Sequence, residues 1–426
     1  MGLSVACAPF LFRFKARPMR ILFLSDNFPP ETNAPANRLY DHAVRWVRAG
    51  HEVTVVTCAP NFPEGKLFSG YRNRWYAVEE WDGIRVVRVK SYITSNEGFL
   101  KRTLDYVSFM VSGFIGGLFQ KKPDVVVASS PQFFAAVGGW ALAAVRRKPF
   151  IFELRDLWPA SIVAVGAMEE SRTIRLLEKL ELFLYRRARR VVAVTHAFKQ
   201  DLISRGIDGS KIDVVLNGVD LARYQPMSPD EVLRREHGLE GKFVVGYLGT
   251  HGMAHALDKV LEAAERLRAC DDIVFLFVGA GAAKAVVESR AEDLGLENVR
   301  FVPRQPKDAM PGYWSLCDLA LIPLRDTPVF ESVIPSKMFE CMAMGIPVLM
   351  SLPEGEATGI LKESGAGVCV PPEDPQAMGE AIQALQGDPK QRAALRERGL
   401  EAARTYSRDQ QAGKMLAAFS KNVADA

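Results

Sequence analysis

The hydrophobic pattern of this chain alternates between short, continuous apolar runs and longer stretches with helical spacing. Residues 20–25 and 52–57 are two such runs, and between them Leu39, Ala43 and Val47 recur every four residues. This spacing predicts a strand, a helix and a second strand. Further β-branched runs follow at residues 84–89, 124–128, 150–154, 191–194 and 212–216. Their alternation with helical patterns favours a parallel sheet with helices on both faces.

A second series of apolar runs begins after the polar segment 225–242, at residues 243–248, 273–278, 299–302, 319–324, 348–350 and 367–370. The predicted fold class is therefore α/β, with two doubly wound, Rossmann-like domains facing a central cleft. The predicted parts are residues 19–224 for the first domain, 225–242 for a linker, 243–400 for the second domain, and 401–426 for a C-terminal helix that crosses back. Ligands of such sheets bind beyond the carboxyl ends of the strands.

The composition limits the classes of function. The chain has 426 residues, 48% apolar and 24% charged, which is typical of a soluble protein with more than one core. Its net charge of +4 is too small to indicate a nucleic-acid partner. The six scattered cysteines contain no CxxC pair and predict a reducing compartment. Residues 1–18 lack the features of a secretory signal and are interpreted as a mis-assigned start or a disordered tail, with a weak membrane-touching segment as the alternative.

The most informative chemistry lies in a predicted short helix in front of a buried apolar run. Pro335 and Ser336 predict its start, because proline presets the helical φ and a serine hydroxyl can accept an amide, and Gly345 predicts its end. Lys337 adds a charge to the helix N-terminus, where a phosphate is favoured. Glu340 lies on roughly the same face, and carboxylates accept hydrogen bonds from sugar hydroxyls. The pattern indicates a nucleotide-sugar diphosphate site, with an ordinary capped helix as the alternative.

Three charged residues crowd the end of the predicted strand 150–154. Glu153, Arg155 and Asp156 lie where ligands bind in this type of sheet, and such crowding is uncommon without a role. Asp156 is predicted to lie in the acceptor or sugar site. The alternative is an ion pair between Arg155 and Asp156 that closes a loop.

Two segments indicate contact with a lipid surface. The stretch from Ser171 to Arg190 has seven basic residues against two glutamates, and its apolar residues line one helical face. The stretch from Thr103 to Phe119 is almost wholly apolar and has basic flanks, but at seventeen residues it is too short to span a bilayer. Both are expected to lie on an anionic leaflet. The alternatives are a covering helix packed on the sheet for the first and a buried helix for the second.

Four segments, in the right order, resemble family 4 of the retaining glycosyltransferases, which have the two-domain GT-B fold. They are MRILFLSDNFPPETNAPANRLYDHAVRWVRAGHEVTVVT, VVLNGVDLARYQP, YLGTHGMAHALDKVLEAAERL and PSKMFECMAMGIPV. The chain looks closest to the branch that builds O-antigen, capsule and colanic acid, including fucosamine transferases. The resemblance implies a metal-independent reaction without a cofactor. The implied donor is a nucleotide-diphosphate sugar, with UDP favoured, and a hexosyl, N-acetylhexosaminyl or fucosaminyl unit is transferred. The implied acceptor is a polyprenyl-diphosphate-linked saccharide at the inner face of the cytoplasmic membrane.

The resemblance also implies roles for single residues, and the chain departs from the family's pattern at several of them. Glu340 matches the second of two glutamates eight positions apart and is implied to hold the ribose. Position 332 is Ser332, however, and Glu331 is one place out of register. By the same resemblance, Asp156 orients the acceptor or the sugar, and Lys337 contacts the diphosphate.

Two cations of the family's phosphate clamp are replaced here by Thr250 and His255. The candidates to take their place are Lys337, the two histidines His251 and His255, and the backbone amides of the loop from Gly249 to Gly252. A histidine in this role predicts activity that is sensitive to pH near 6–7, whereas a packing or capping role is the alternative. The spacing of the two histidines also fits a helical metal pair, but Gly252 and the lack of a neighbouring carboxylate disfavour it.

In the first domain the loop of Asn33, Ala34 and Pro35 is predicted to lie between strand and helix, where the family places a glycine-rich turn against the diphosphate and acceptor. Arg38, at the predicted helix start, either touches an anion or is a solvated first-turn residue. Two rival functions stay open at this point. One is a nucleotide-sugar 2-epimerase of the same architecture, and the other is a non-catalytic protein that binds sugar nucleotides.

Overall fold

The computed structural model describes residues 17–62, 64–94, 99–130, 132–157 and 172–421. Contacts divide these residues into two compact units. The first contains residues 17–157, 172–192 and 415–421, and the second contains residues 193–414. Most of the predicted leader, and Ser171 at the start of the basic segment, lie outside the described residues. No described helix is long and apolar enough to cross a membrane.

The first sheet contains eight strands among the described residues, in the order β3-β4-β2-β1-β5-β6-β7-β8. Their bounds are β1 (Arg20–Leu24), β2 (Glu52–Cys58), β3 (Tyr76–Trp81), β4 (Ile84–Val89), β5 (Val125–Ser129), β6 (Phe150–Leu154), β7 (Arg190–Ala193) and β8 (Ile212–Val214). The helices that accompany them are α1 (Ala34–Arg48), α2 (Phe99–Leu118), α3 (Phe133–Arg146), α4 (Arg172–Arg187) and α5 (His196–Ser204). The pairs from β4 to β6 are parallel, as the apolar runs predicted.

The edge strand β3 is the strand that the hydrophobic pattern missed. It pairs antiparallel with β4, and the turn between them contains Asp82 and Gly83 at φ 48° and 80°. Two successive positive φ values match the short hairpin turns whose twist suits paired strands. Along β3 exposed and half-buried residues alternate. A strand at the edge buries little surface, so it lacks the continuous apolar run that marks the buried strands.

The second sheet contains six strands among the described residues, in the order β11-β10-β9-β12-β13-β14, and all its neighbours are parallel. The strands are β9 (Phe243–Leu248), β10 (Ile273–Val278), β11 (Val299–Val302), β12 (Leu319–Pro323), β13 (Val348–Ser351) and β14 (Gly367–Val370). The α-helices of this part are α6 (Glu231–Glu236), α7 (Leu257–Arg266), α8 (Lys284–Asp293), α9 (Met310–Ser315), α10 (Lys337–Met344), α11 (Glu356–Ser364), α12 (Pro375–Gly387) and α13 (Pro389–Thr405). Helix α14 (Arg408–Ser420) begins in the second unit and ends in the first.

Strand β9 shows why its sequence is apolar without a break. Val244 and Leu248 belong to the core on one face of the sheet, whereas Phe243, Val245 and Tyr247 belong to the core on the other. A strand that is covered on both faces has no polar side to show in its pattern. The second unit therefore has two apolar layers, and its polar chemistry is confined to the ends of the strands.

Candidate functional site

Two glycine-containing loops meet at the carboxyl ends of β9 and β10. The Gly249 amide donates to Val278 O at 2.9 Å, and the His251 amide donates to Ala280 O at 2.9 Å. The loops are so close that a Cβ atom on Gly279 would lie 1.9 Å from Gly249 O. Glycine is therefore required at this contact for steric reasons.

These contacts correct one prediction. The amides of Gly249 and His251 already have carbonyl acceptors, and the Gly252 amide donates to His255 Nδ1 at 3.3 Å. These three amides are committed to holding the loop together, so they do not form the open phosphate cradle that the sequence suggested.

The two histidines of the loop are neutral packing residues rather than cations. His251 is completely buried between the rings of Tyr247 and Phe277, and neither of its ring nitrogens has a hydrogen-bond partner. Burial lowers the pKa of His251 to about 4, with Lys284 and Lys337 as lesser causes. Burial, followed by Lys337, lowers the pKa of His255 to about 4 as well. The prediction of a histidine that titrates near pH 6–7 is wrong for this site.

Lys337 is the cation that faces the loop. Its Nζ atom lies 3.9 Å from the centre of the Tyr247 ring and 3.1 Å from the position that a Cβ on Gly249 would occupy. The Nζ atom is buried and has no hydrogen-bond partner. Burial lowers the pKa of Lys337 to about 8, against the raising effects of Cys341 and Glu340. The structure thus brings together the lysine and the loop that the sequence selected separately.

Glu340 follows one turn later in α10 and is held by aromatic groups. The Trp314 indole donates to Glu340 Oε2 at 3.4 Å. Burial raises the pKa of Glu340, while Trp314, Lys337, Lys307 and the Tyr224 hydroxyl lower it. The carboxylate is thereby fixed in orientation beside two lysines.

The start of α10 differs from the predicted cap. The helix begins at Lys337, Ser336 has helical backbone angles, and the Ser336 hydroxyl makes no capping bond. The first turn is tightened instead, since the amides of Met338 and Phe339 donate to Pro335 O and Ser336 O, each at 3.1 Å. Gly345 ends the helix at φ 70°, as predicted.

The other donor-site candidates lie around this helix. Glu331 and Ser332 lie in a 3-10 helix over Pro328–Ser332, where Glu331 is exposed and the Ser332 hydroxyl donates to Val329 O at 3.3 Å. Thr250 is exposed on the glycine loop, and its carbonyl accepts from the Tyr247 hydroxyl.

In the first unit the charged residues form a buried network. Arg38 Nε donates to Glu153 Oε1 at 2.9 Å, and both side chains are almost fully buried. The alternative of a solvated Arg38 is therefore wrong, and its contact with an anion of the ligand stays a prediction. Burial lowers the pKa of Arg155 to about 10, with Glu153 opposing, and its Nε has no hydrogen-bond partner. The Ser130 hydroxyl accepts from the amides of Arg155 and Asp156 and so holds their turn.

The Asn33 segment is a helix start rather than an open loop. Asn33 is the N-cap of α1, and its side chain accepts from the Ala36 amide at 2.9 Å and donates to Asn27 Oδ1 at 2.6 Å. Ala34 and Pro35 are already in the first turn. The helix therefore starts earlier than predicted, because Asn33 is a preferred N-cap residue.

Sequence reasoning missed three carboxyl groups near the carboxyl end of β1. Burial, with Glu31 and Asp105 as further causes, raises the pKa of Asp26 to about 7. Burial likewise raises the pKa of Asp105 to about 7. Glu31 accepts from the amides of Asn61 and Phe62, and burial raises its pKa too. Asp26 directly follows a predicted strand, which was the signal available in the sequence.

The two predicted lipid-binding segments are amphipathic helices in the structure. Helix α2 buries Phe109 but exposes Leu104, Val111 and Ile115, and Phe119, the residue after the end of the helix, is exposed as well. Helix α4 buries Leu184 and Tyr185 against the sheet, as the covering-helix alternative expected, while Leu176 remains exposed.

Comparison with known proteins agrees with this architecture. Residues 36–223 match the model of Glycosyltransferase Family 4, and residues 229–402 match that of Glycosyl transferases group 1. The chain is 28% identical over 390 residues to a protein of Escherichia coli (strain K12) named as the colanic acid biosynthesis glycosyl transferase WcaI, covering 89% of this chain and 95% of that protein. It is 27% identical over 333 residues to a GDP-mannose-dependent alpha-mannosyltransferase of Mycobacterium tuberculosis, covering 78% of each.

Solved structures share the fold at low sequence identity. Sucrose-phosphate synthase from Thermosynechococcus elongatus superimposes with a TM-score of 0.75 at 15% identity, over 96% of this chain and 100% of that one. Anabaena HepE in complex with UDP and glucose gives a TM-score of 0.68 at 19% identity, over 94% of this chain and 99% of that one. Two Rossmann-like α/β domains and two matching family models lead to one conclusion: the chain belongs to family 4 of the glycosyltransferases and has the GT-B fold.

Proposed function

We propose that this protein is a retaining glycosyltransferase of surface-polysaccharide assembly. It transfers a sugar from a nucleotide-diphosphate donor, with UDP favoured, to a polyprenyl-diphosphate-linked saccharide. The complex of HepE with UDP and glucose supports a donor of this class, and the name of the Escherichia coli relative supports a role in polysaccharide assembly. The transferred sugar is of hexosyl, N-acetylhexosaminyl or fucosaminyl type, and the reaction needs no metal.

The observation that carries this proposal is the unpartnered ammonium group of Lys337. A buried cation without a hydrogen bond is costly to keep, and here it faces a glycine loop at the carboxyl end of a parallel sheet. A diphosphate placed over Gly249 would supply the missing acceptors. It would also raise the pKa of Lys337, because an adjacent anion favours the charged form.

The chemistry of the proposed step assigns distinct roles to Lys337 and Glu340. The acceptor oxygen forms a bond to the anomeric carbon while the bond from that carbon to the phosphate oxygen breaks, and the hydroxyl proton leaves with the departing nucleotide. Negative charge grows on the leaving phosphate, where the fixed charge of Lys337 is most useful. Glu340, oriented by Trp314, accepts hydrogen bonds from the ribose hydroxyls. Asp156 is proposed to orient the acceptor or the sugar.

The acceptor is proposed to be reached on the inner face of the cytoplasmic membrane. On α2, the three exposed apolar residues Leu104, Val111 and Ile115 follow at spacings of seven and four, so they share one face of the helix, and the exposed Phe119 follows directly after the helix end. The exposed cations Lys101, Arg102, Lys121 and Lys122 flank this stripe. An apolar stripe with basic ends suits insertion among anionic headgroups. Helix α4 adds Leu176 and a row of exposed basic residues.

Release of nucleoside diphosphate from a panel of UDP-, GDP- and dTDP-sugars tests the proposal. The assay compares the wild type with Glu340→Ala and with Glu297→Ala, a variant of an exposed glutamate, with and without membrane lipid extract. We expect release from one donor that requires the lipid, is lost in Glu340→Ala and survives in Glu297→Ala. Donor conversion without lipid would identify an epimerase, and donor binding without any release would identify a non-catalytic protein.

A further inference from the structure

A pocket with no assigned role lies at the amino ends of β12 and β13, whereas the glycine loop lies at the carboxyl ends of this sheet. Its volume is about 200 Å³. Its walls come from α6, the α10–β13 turn and α13, and three arginines line it: Arg234, Arg392 and Arg396. Asp318 is the carboxylate among the lining residues. The lining therefore carries three positive charges against one negative charge.

Two of these four charged groups are already committed to the fold. Arg392 donates to the last carbonyls of α12, at Leu385 and Gln386, and stacks over the Phe243 ring at 5.1 Å. Asp318 Oδ2 accepts from the Val244 amide at 2.8 Å. These contacts hold both groups in place. Burial raises the pKa of Asp318, while the Val244 amide and the charges of Arg234 and Arg392 lower it.

Arg234 and Arg396 retain unused hydrogen-bonding capacity. The Nε atom of Arg234 is buried and has no hydrogen-bond partner, and its NH1 group lies 3.8 Å from the exposed Glu231 carboxylate. Arg396 packs its side chain against Gly345, so that a Cβ there would lie 3.1 Å from Arg396 Cγ. A buried guanidinium N–H without an acceptor costs free energy, which a ligand with acceptor oxygens would recover.

We infer that this pocket binds a phosphate group. The excess positive charge selects an anion, and arginine forks match the tetrahedral arrangement of phosphate oxygens. The volume admits inorganic phosphate or a small phosphate ester but leaves no room for a nucleotide sugar. The site is separate from Lys337, and the inference does not depend on the proposed transferase reaction. A bound anion would contact the C-terminal turn of α10, the helix that carries Lys337 and Glu340 at its other end.

Thermal unfolding of the full chain in increasing inorganic phosphate, at an ionic strength held constant with sodium chloride, tests this inference. Ligand that binds the folded state raises the unfolding midpoint in proportion to ln(1 + [L]/Kd). We expect a saturable rise of the unfolding midpoint in the wild type. The same rise is expected in Lys337→Gln, where phosphate binding at the proposed donor site is weakened. Arg396→Gln should raise the apparent Kd about tenfold, the effect of losing one charge-assisted hydrogen bond.

The matched control is Lys390→Gln, which removes an exposed positive charge from the same helix outside the pocket. It should leave the apparent Kd unchanged. Arg234→Gln is a second test, at another wall of the pocket. If the Arg234 variant fails to fold, Arg396→Gln alone still tests the inference. Glycerol phosphate in place of inorganic phosphate separates an ester ligand, which would bind more tightly, from the free anion. An unchanged Kd in Arg396→Gln, or loss of the response in Lys337→Gln alone, would overturn the inference.

Discussion

The ammonium group of Lys337 lies 3.9 Å from the centre of the Tyr247 ring. Tyr247 belongs to β9 and Lys337 begins α10, so this contact joins two elements that are distant in the sequence. A cation over an aromatic face gains roughly 0.5–2 kcal/mol. That gain holds the charge beside Gly249 even when no anion is present.

Replacing Lys337 by methionine should abolish most of the transfer activity. Methionine keeps most of the side chain's length but removes the charge that is proposed to stabilise the leaving phosphate, and loss of one such group lowers kcat by about 10²–10³-fold. Steady-state release of nucleoside diphosphate measures the effect, with Lys390→Met as the control for a lost surface charge. If kcat fell by less than about threefold, the role proposed for Lys337 would be contradicted.

The pH dependence of kcat/KM for the donor should follow Lys337 and not the histidines. The pKa of Lys337 in the free protein is lowered to about 8, so the ammonium group loses its proton as the pH rises through this value. We therefore expect kcat/KM to fall above pH 8. Lys337→Arg, if active, should remove this decline, because arginine keeps its proton. Between pH 5.5 and 7.5 no step is expected from His251 or His255, because both have pKa values of about 4.

Glu340→Gln should weaken donor binding more than it slows turnover. The amide keeps the size of the carboxylate and can still accept from Trp314, but it loses the charge-assisted bonds that are proposed to ribose hydroxyls. We expect KM for the donor to rise about tenfold, with a smaller change in kcat. Equal losses in kcat and kcat/KM would instead place Glu340 at the reacting bond.

Asp26→Asn should stabilise the protein increasingly as the pH rises from 5 to 8. The folded-state pKa of Asp26 is raised to about 7 from the ordinary 3.8, so the folded protein binds the extra proton in this window. Stability from this group is therefore lost as the pH rises through 7, and the neutral amide avoids that loss. The difference in Tm between variant and wild type, measured at several pH values, tests the sign. Glu80→Gln, at an exposed position of β3, is the control and should show no trend.

Removing the apolar stripe of α2 should reduce binding to vesicles that contain anionic lipid. The double change Ile115→Ser and Phe119→Ser removes two exposed side chains and leaves the buried face of the helix intact. Co-sedimentation should show binding weakened by about tenfold or more, since burying each large apolar side chain contributes roughly 1.5–3 kcal/mol. Val286→Ser, at an exposed position of α8, is the control. Equal binding by all three proteins would contradict the proposed membrane surface.

Most of the fold was predictable because its strands are buried on both faces. Strands such as β6, β9 and β10 have the bounds that their apolar runs predicted, since a strand covered on both faces must be apolar throughout. The edge strand β3 was not predicted from the hydrophobic pattern, because a strand with one unpartnered edge and partial exposure can contain polar residues. The N-terminus of α1 was predictable from Asn33, because asparagine is a preferred N-cap residue.

The sequence by itself determined the fold class, the family resemblance and the choice of Lys337, Glu340 and the glycine loop, because periodicity and helix-terminus chemistry are local properties. Only the tertiary structure decided the protonation of these groups. His251 is neutral because it is buried against Tyr247 and Phe277, and Arg38 is buried in an ion pair with Glu153, from a strand far along the chain. Desolvation and ion pairing depend on neighbours distant in sequence, and no spacing of residues along the chain records them.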